Sequence, residues 1–418
     1  MNGIHNITVI GLGYIGLPTA IIFANAGVEV FGFDVNEQVQ NTLKKGLPHI
    51  VEPNLDQLLK DVIRSKKLQI TSEIKESDVF LIAVPTPFKI EKGTAKVPDL
   101  SYIKSAVEML APVLKKNNLI ILESTSPIGT TELISEWLAE LRPDLTFPHL
   151  QGELSDIRIA HCPERVLPGK IFEELIYNTR IVGGITRKCA QLAANFYKIV
   201  VKGECHTTNA RTAELVKLTE NAFRDVNIAF ANELSMICDK DKINIWELIR
   251  LANLHPRVNI LSPGPGVGGH CIAVDPWFIV HGNPKEAQLI KKAREVNDHK
   301  PHYILKKIEE KAKTLKSPVI ACLGLTYKKD VDDIRESPAL DIVENLSQKR
   351  LGKILVVEPY LNKIPDHLHN LSLKLSDFDQ AIEAANIVVL LVDHSAFQYI
   401  DRETLNGKFV IDTRGMWS

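Results

Sequence analysis

The stretch ITVIGLGYIGLPTAIIFANAGVEVFGFD, residues 7–34, decides the fold. An apolar run stops at Gly11. Apolar residues at helical spacing follow from Tyr14 and end near Gly27, a plausible C-cap. A second apolar run ends on Asp34, 23 residues after Gly11. Strand, turn, helix, strand and acid therefore occur in the order of a nucleotide-binding βαβ unit. Gly11, Gly13 and Gly16 would allow a tight turn, close approach to a pyrophosphate and close helix–strand packing, with the helix N-terminus meeting the phosphate charge. A carboxylate at Asp34 would bond the adenosine ribose hydroxyls and repel a 2′-phosphate, which favours NAD over NADP. A glycine turn that binds nothing is the alternative for the motif taken alone.

Working outward, DVFLIAVPTP and NLIILESTSPIG are further continuous apolar runs ending in turn residues, as in buried parallel strands. Ligands of such sheets lie beyond the carboxyl ends of the strands, so Pro85, Thr86 and Thr125 are placed towards the nicotinamide half. Residues 209–240 lack Gly and Pro and show helical spacing. A second helical stretch runs from Pro284 to Lys316, with Pro301 as a possible break. PVIACLGL, KILVVEP, ANIVVLLVD and KFVIDTRG give four more strands. The expectation is α/β: two Rossmann-like parallel-sheet domains joined by a long-helix central region, with divisions at 1–205, 206–300 and 301–418. Long helices between sheet domains are a natural place for a dimer interface.

Fifty basic and fifty-one acidic residues leave a net charge of −1, which gives no sign of nucleic-acid binding. IVVLLV, residues 387–392, is the longest purely aliphatic run and too short to span a membrane. No signal-peptide pattern opens the chain, and a cytoplasmic enzyme is expected. The six cysteines form no CxxC pair, so no metal site is expected and free thiols in a reducing compartment are.

PGPGVGGHCIAVDPW, residues 263–277, crowds four glycines before Cys271 and Asp275. If Cys271 begins a helical turn, backbone N–H groups would favour its thiolate, and Asp275 would share its face. The glycines would let a substrate pass close to the backbone; a packing cysteine is the plainer alternative. In ELVKLTENAFRD, Lys217 and Asn221 are four apart on one helix face, with Arg224 a turn further. Such a Lys–Asn pair can donate to an oxyanion; otherwise Lys217 bridges Glu214 or Glu220. Glu164, in AHCPERVLPG, could activate water or pair with Arg165.

The glycine turn with Asp34, STSPIGT, CPERVLPG, ELVKLTENAFRD, GPGVGGHCIAVDP and LTYKKDVDDIRESP occur in one chain in this order. The set resembles the UDP-glucose/UDP-N-acetylmannosamine dehydrogenase family over nearly the whole length. HPRVNILSPGPGVGGHCIAVDPWFIV and REVNDHKP are most like the branch acting on UDP-N-acetylmannosamine; UDP-glucose members usually carry another residue where His270 stands. The resemblance implies a four-electron oxidation of a sugar C6 alcohol to a carboxylate, with two NAD reduced in turn. It makes Cys271 the nucleophile and Lys217 and Asn221 oxyanion donors. Asp275 would help proton movement and hold Lys217 or a water. Glu164 with Thr125 would position or activate the hydrolytic water, and the acceptor of the first alcohol proton stays open. Tyr14 and Ile15 join the glycines at the cofactor. Arg165, Val166, Lys217, Asn221, Arg224, Gly264 and Gly268 would contact the UDP-sugar, with Lys328 and Arg335 from the C-terminal domain. Arg257 would reach a substrate in the neighbouring subunit of a homodimer.

Overall fold

The computed structural model describes residues 4–90, 96–167, 169–364 and 373–417. Pro168 of the CPERVLPG stretch lies outside them. The chain divides into two compact units, Met1–Glu220 and Asn221–Ser418.

The first unit is built on ten strands: β1 (Asn6–Ile10), β2 (Glu29–Phe33), β3 (Leu68–Thr71), β4 (Val79–Ile82), β5 (Phe88–Ile90), β6 (Lys96–Pro98), β7 (Leu119–Leu122), β8 (Arg158–His161), β9 (Arg180–Gly184) and β10 (Cys205–Asn209). Its helices are α1 (Gly16–Asn25), α2 (Glu37–Lys44), α3 (Leu55–Arg64), α4 (Ser101–Leu110), α5 (Thr130–Leu141), α6 (Pro148–Gln151), α7 (Ile171–Tyr177) and α8 (Arg187–Tyr197). Eight strands form one sheet in the order β10-β9-β8-β7-β4-β1-β2-β3, and β5 pairs with β6 in a separate hairpin. All pairs in the large sheet are parallel except β8–β9.

Alternation along the strands explains why both faces are covered. Ile7, Val9, Val30, Leu81 and Ile121 pack with Leu17 and Ile21 of α1 and with Phe196 of α8. Ile10, Phe80, Ile82, Ile120 and Leu122 pack on the other face with Ile103 and Val107 of α4 and Ile134 and Leu138 of α5. The order reverses between β1 and β4, so the carboxyl ends of these two strands make the switch point where ligands of open sheets bind. The expected division at 205 falls at the start of β10, which joins this sheet. β10 is the polar edge strand CHTTN, which carries no apolar signal.

In the second unit β11 (Val319–Leu323), β12 (Lys353–Val357), β13 (Ile387–Leu390) and β14 (Phe409–Asp412) form an all-parallel sheet in the order β12-β11-β13-β14. Its helices follow α9 (Ala210–Asp241), which spans the division between the units: α10 (Ile245–Ala252), α11 (Asp275–Gly282), α12 (Gln288–Ala312), α13 (Pro338–Gln348) and α14 (Phe378–Ala384). Ile304, Leu305 and Ile308 of α12 pack with Val343 of α13 on Ile320 and Cys322. Ala381 and Ile382 of α14 cover Ala321, Leu323 and Val388 on the other face. Pro301 does not break α12, contrary to the sequence expectation. The ring removes one backbone donor, a cost of about 3 kcal/mol. Buried Ala293, Arg294 and Asn297 before it, and Ile304, Leu305 and Ile308 after it, hold the axis together.

The two sheets share a turn. Gly11, at φ +91°, donates its N–H to Phe33 O at 2.8 Å, and Gly324, at φ +93°, donates to Val357 O at 2.8 Å. The Leu12 N–H donates to Asp34 Oδ2 at 2.9 Å, as the Leu325 N–H does to Glu358 Oε2 at 2.7 Å. Each second strand thus ends in an acid that closes the glycine turn of the first.

Candidate active site

The cofactor end is built at the β1/β4 switch point. A Cβ on Gly11 would lie 2.5 Å from Ala83 O, and one on Gly16 1.9 Å from Gly11 O, so both positions exclude a side chain by packing. A Cβ on Gly13 meets nothing within 4 Å. That glycine therefore leaves an open approach to the backbone, where a pyrophosphate would lie. α1 has no side-chain cap and no acid in its first turn, so no side-chain charge competes with an anion at its N-terminus. Tyr14 is exposed and Ile15 half-buried between these glycines. Asp34 accepts from Leu12 and, at 2.9 Å, from Asn36. Each oxygen keeps a second lone pair. These residues fit NAD.

The loops after β4 and β7 are joined: the Thr86 hydroxyl donates to Thr125 O at 2.5 Å. Pro85 beside it is exposed. Sequence reasoning missed the anchor of the second loop. Glu214, buried on α9, accepts from the Gly129 and Thr131 N–H groups at 2.6 and 2.8 Å and from the Thr131 hydroxyl at 2.6 Å. It also missed Glu52, which accepts from Gly169 N–H and Ile171 N–H at 2.8 Å each and caps α7. Both acids lie far in sequence from their partners, so no local pattern marks them.

Glu164 does not pair with the Arg165 side chain. It is buried against Arg180 at the start of β9, with Nη1 to Oε2 at 2.5 Å, and its Oε1 accepts the Arg165 N–H at 2.6 Å. The Arg165 guanidinium turns instead to Glu220, at 2.5 Å. Val166 packs beside Ile22, Ile171 and Leu175. Behind Glu164 lies Glu123, whose Oε1 accepts the Tyr197 hydroxyl at 2.6 Å and whose Oε2, near Thr19, makes no hydrogen bond within normal limits among the described residues. Burial pushes the Glu123 carboxyl up to about 7, against the pull of Arg180 and the Tyr197 hydroxyl. Of the two acids the sequence offered to Lys217, Glu214 is engaged by the β7 loop and Glu220 by Arg165.

Cys271 opens a helical turn, as the sequence reading required. Its carbonyl accepts the N–H groups of Val274 and Asp275 at 3.1 and 2.8 Å, directly before α11. It is exposed, whereas Cys162, Cys189, Cys238 and Cys322 are buried. Asp275 is 3% exposed and accepts from Asn221 Nδ2 at 2.5 Å. Lys217 lies one turn before Asn221 on α9, and Arg224 is exposed one turn after it.

The glycines of the loop have a packing cause inside this unit. A Cβ on Gly268 would lie 2.3 Å from Glu336 O, one on Gly269 2.8 Å from the Tyr327 ring, and one on Gly266 2.8 Å from Pro338. A Cβ on Gly264 would lie 2.5 Å from the Arg414 guanidinium. The missing side chains make room for this unit's own atoms. His270 is held below its ordinary pKa by burial and by the nearby Arg335 charge. Arg335 forks onto Asp333, with Nε to Oδ1 at 2.8 Å and Nη2 to Oδ2 at 2.6 Å. Lys328 is half-buried, and Arg257 is exposed beyond α10.

Known proteins agree with this arrangement along the chain. Residues 5–201 match the NAD-binding domain of the UDP-glucose/GDP-mannose dehydrogenase family, residues 211–299 its central domain and residues 321–418 its UDP-binding domain. An NDP-N-acetyl-D-galactosaminuronic acid dehydrogenase of Ralstonia nicotianae is 57% identical over 414 residues, covering 99% of this chain and 96% of that one. A UDP-N-acetyl-D-mannosamine dehydrogenase of Campylobacter jejuni is 58% identical over 398 residues, 95% of this chain and 97% of that one. The solved UDP-D-ManNAc dehydrogenase of Pyrococcus horikoshii is 39% identical, with a TM-score of 0.87 over 99% of this chain and 96% of that one. With three domain matches in sequence and a glycine cradle fitted to NAD, the chain is an NAD-binding nucleotide-sugar dehydrogenase belonging to the UDP-glucose/GDP-mannose dehydrogenase family.

Proposed function

We propose that the protein oxidises UDP-N-acetyl-D-mannosamine at C6 to UDP-N-acetyl-D-mannosaminuronate, through covalent intermediates on Cys271. The observation that carries this is an exposed thiol at the head of a helical turn, four residues before an Asp held by Asn221. NAD, when bound, supplies the hydride acceptor for each of the two oxidations. The aldehyde formed first has no good hydride to lose until something adds to it. The Cys271 thiolate adds to the carbonyl carbon and gives a thiohemiacetal, whose loss of hydride leaves a thioester. Water cleaves the thioester and frees the thiol and the carboxylate. Lys217 and Asn221 donate to the oxyanions of addition and hydrolysis. Asp275, fixed by Asn221, carries protons. Glu164, fixed by Arg180 and the Arg165 N–H, positions the hydrolytic water with Thr125.

The same reading assigns residues 1–205 to NAD, 206–300 to catalysis and dimerisation, and 301–418 to UDP, with Lys328 and Arg335 near the phosphates. Phe223, Phe230 and Ile237 recur at seven-residue spacing along α9 with 67%, 51% and 47% exposure, which suits a homodimer helix. Arg257 then reaches the partner's substrate. Among the described residues no helix is long and apolar enough to cross a membrane. The same reading places the enzyme in the cytoplasm, where its product feeds cell-surface polysaccharide.

Purified protein with excess NAD and limiting UDP-N-acetylmannosamine should yield two NADH per sugar, and Cys271→Ala should yield no acid while still binding NAD. One NADH per sugar in the native enzyme refutes the covalent scheme. The 57% identity to the Ralstonia protein favours a second substrate, the N-acetylgalactosamine nucleotide. Two NADH with that sugar alone would change the substrate and keep the mechanism.

A further inference from the structure

A loop made of glycines has no side chains with which to anchor itself, and each glycine adds backbone freedom that must be frozen out. The second unit supplies anchors from outside the loop. The Gly264 N–H donates to Asn232 Oδ1 at 2.9 Å, and Asn232 Nδ2 donates to Asn297 Oδ1 at 2.9 Å. Asn297 Nδ2 in turn donates to Asp225 O and Oδ1 at 3.1 and 2.8 Å. Arg294 closes the series on Asp225 Oδ1 at 2.6 Å and also pairs with Asp298. Asn232, Asn297, Asp225 and Arg294 are all at most 1% exposed, so each amide must be matched by a partner. The donors run in one direction only, from the loop to a carboxylate neutralised by an arginine. Turning over either amide would set oxygen against oxygen and nitrogen against nitrogen.

Asn232 lies eleven residues beyond Asn221 on α9. At 100° per residue the two share a face and stand about 16 Å apart along the axis. Asn221 holds Asp275, after the cysteine, and Asn232 holds Gly264, before it. One rigid helix therefore fixes both ends of the segment that carries Cys271.

We propose that Asn232 and Asn297 are positioning residues for Cys271, acting through the Gly264 tether. This rests on the reading of Cys271 as the nucleophile. It also gives a task to the REVNDHKP stretch, whose Arg294 and Asn297 make the far end of the series.

The test compares Asn232→Ala and Asn297→Ala with the native enzyme for kcat, KM of the UDP-sugar and the alkylation rate of Cys271 by iodoacetamide. A displacement of about 1 Å at a reacting group costs about 10²-fold in rate. Both variants should lose at least about tenfold in kcat while KM stays within about threefold, and the alkylation rate should change by at least about threefold. Ser235→Ala is the control. It removes the hydroxyl that accepts from Lys300 and donates to the Asn232 backbone carbonyl, and leaves the Asn232 amide and its bond to Gly264 in place, so kcat should stay native. If Asn232→Ala does not fold, Asn297→Ala carries the test, since it leaves the acceptor for Gly264 in place and removes the support of Asn232 from α12. It should show the same split. The proposal is overturned if the Asn232 and Asn297 variants keep kcat within about twofold, or if Ser235→Ala loses as much as they do. Full acid formation by Cys271→Ala would remove the nucleophile reading, while the alkylation rates would still report on the tether.

Discussion

Replacing Glu123 by Gln should remove a pH dependence of stability from the first unit. Glu123 is buried beneath the sheet's carboxyl edge, one oxygen accepting the Tyr197 hydroxyl and the other making no hydrogen bond within normal limits among the described residues. Burial raises its carboxyl to about 7, from an ordinary value of 4.5. Between these values the folded protein binds a proton that the unfolded chain has released, so stability falls as pH rises through this window. From pH 5 to pH 8 the loss amounts to about 2.5 kcal/mol. Glutamine resembles the protonated acid: it keeps the acceptor for Tyr197 and carries no charge. The variant should match the native protein at pH 5 and exceed it by about 2–3 kcal/mol at pH 8. Urea unfolding followed through Trp137, the tryptophan of the first unit, with Trp246, Trp277 and Trp417 changed to Phe, reads this unit alone. Parallel pH profiles for the two proteins would refute the reasoning, because they would mean that Glu123 is ionised in the folded state at pH 5.

Other substitutions probe other parts of the molecule. Gly16→Ala places a methyl 1.9 Å from Gly11 O, so the turn must open, and the dissociation constant for NAD should rise more than about tenfold by calorimetry. Asn221→Ala strips Asp275 of its donor; kcat should fall about 10²-fold with NAD affinity unchanged. Gly324→Ala sets a Cβ 2.4 Å from that of Val392 at φ +93°, and should lower the stability of the second unit by more than about 1–3 kcal/mol in a urea melt.

The parts legible in the sequence were those with a local cause. β1, β2, β4, β7 and the four strands of the second sheet are largely apolar runs ending in turn residues, and Gly11, Gly13, Gly16 and Asp34 sit at spacings that only a tight turn and a strand end explain. β3 and β10 are short or polar edge strands and β9 carries two glycines, and all three become strands only because a neighbour offers its hydrogen bonds. Cys271 and Asn221 could be singled out by type and spacing. The duties of Glu52, Glu214 and Arg180 could not, since their partners are brought near only by the fold. The packing cause of the loop glycines was hidden for the same reason: Tyr327, Glu336 and Pro338, which occupy the space beside them, come from more than fifty residues away. Pro301 shows local preference losing to packing on both sides of it.

The turn repeated in the two sheets carries a further consequence. In the first unit the closing acid, Asp34, holds two backbone donors and has capacity to spare. In the second, Glu358 takes N–H groups from Leu325, Thr326 and Tyr360 and faces Nε2 of buried His394. The same turn therefore has slack in one sheet and none in the other: exchanging the acid at position 34 gives up two backbone bonds, whereas exchanging it at position 358 gives up three and takes a carboxylate from buried His394.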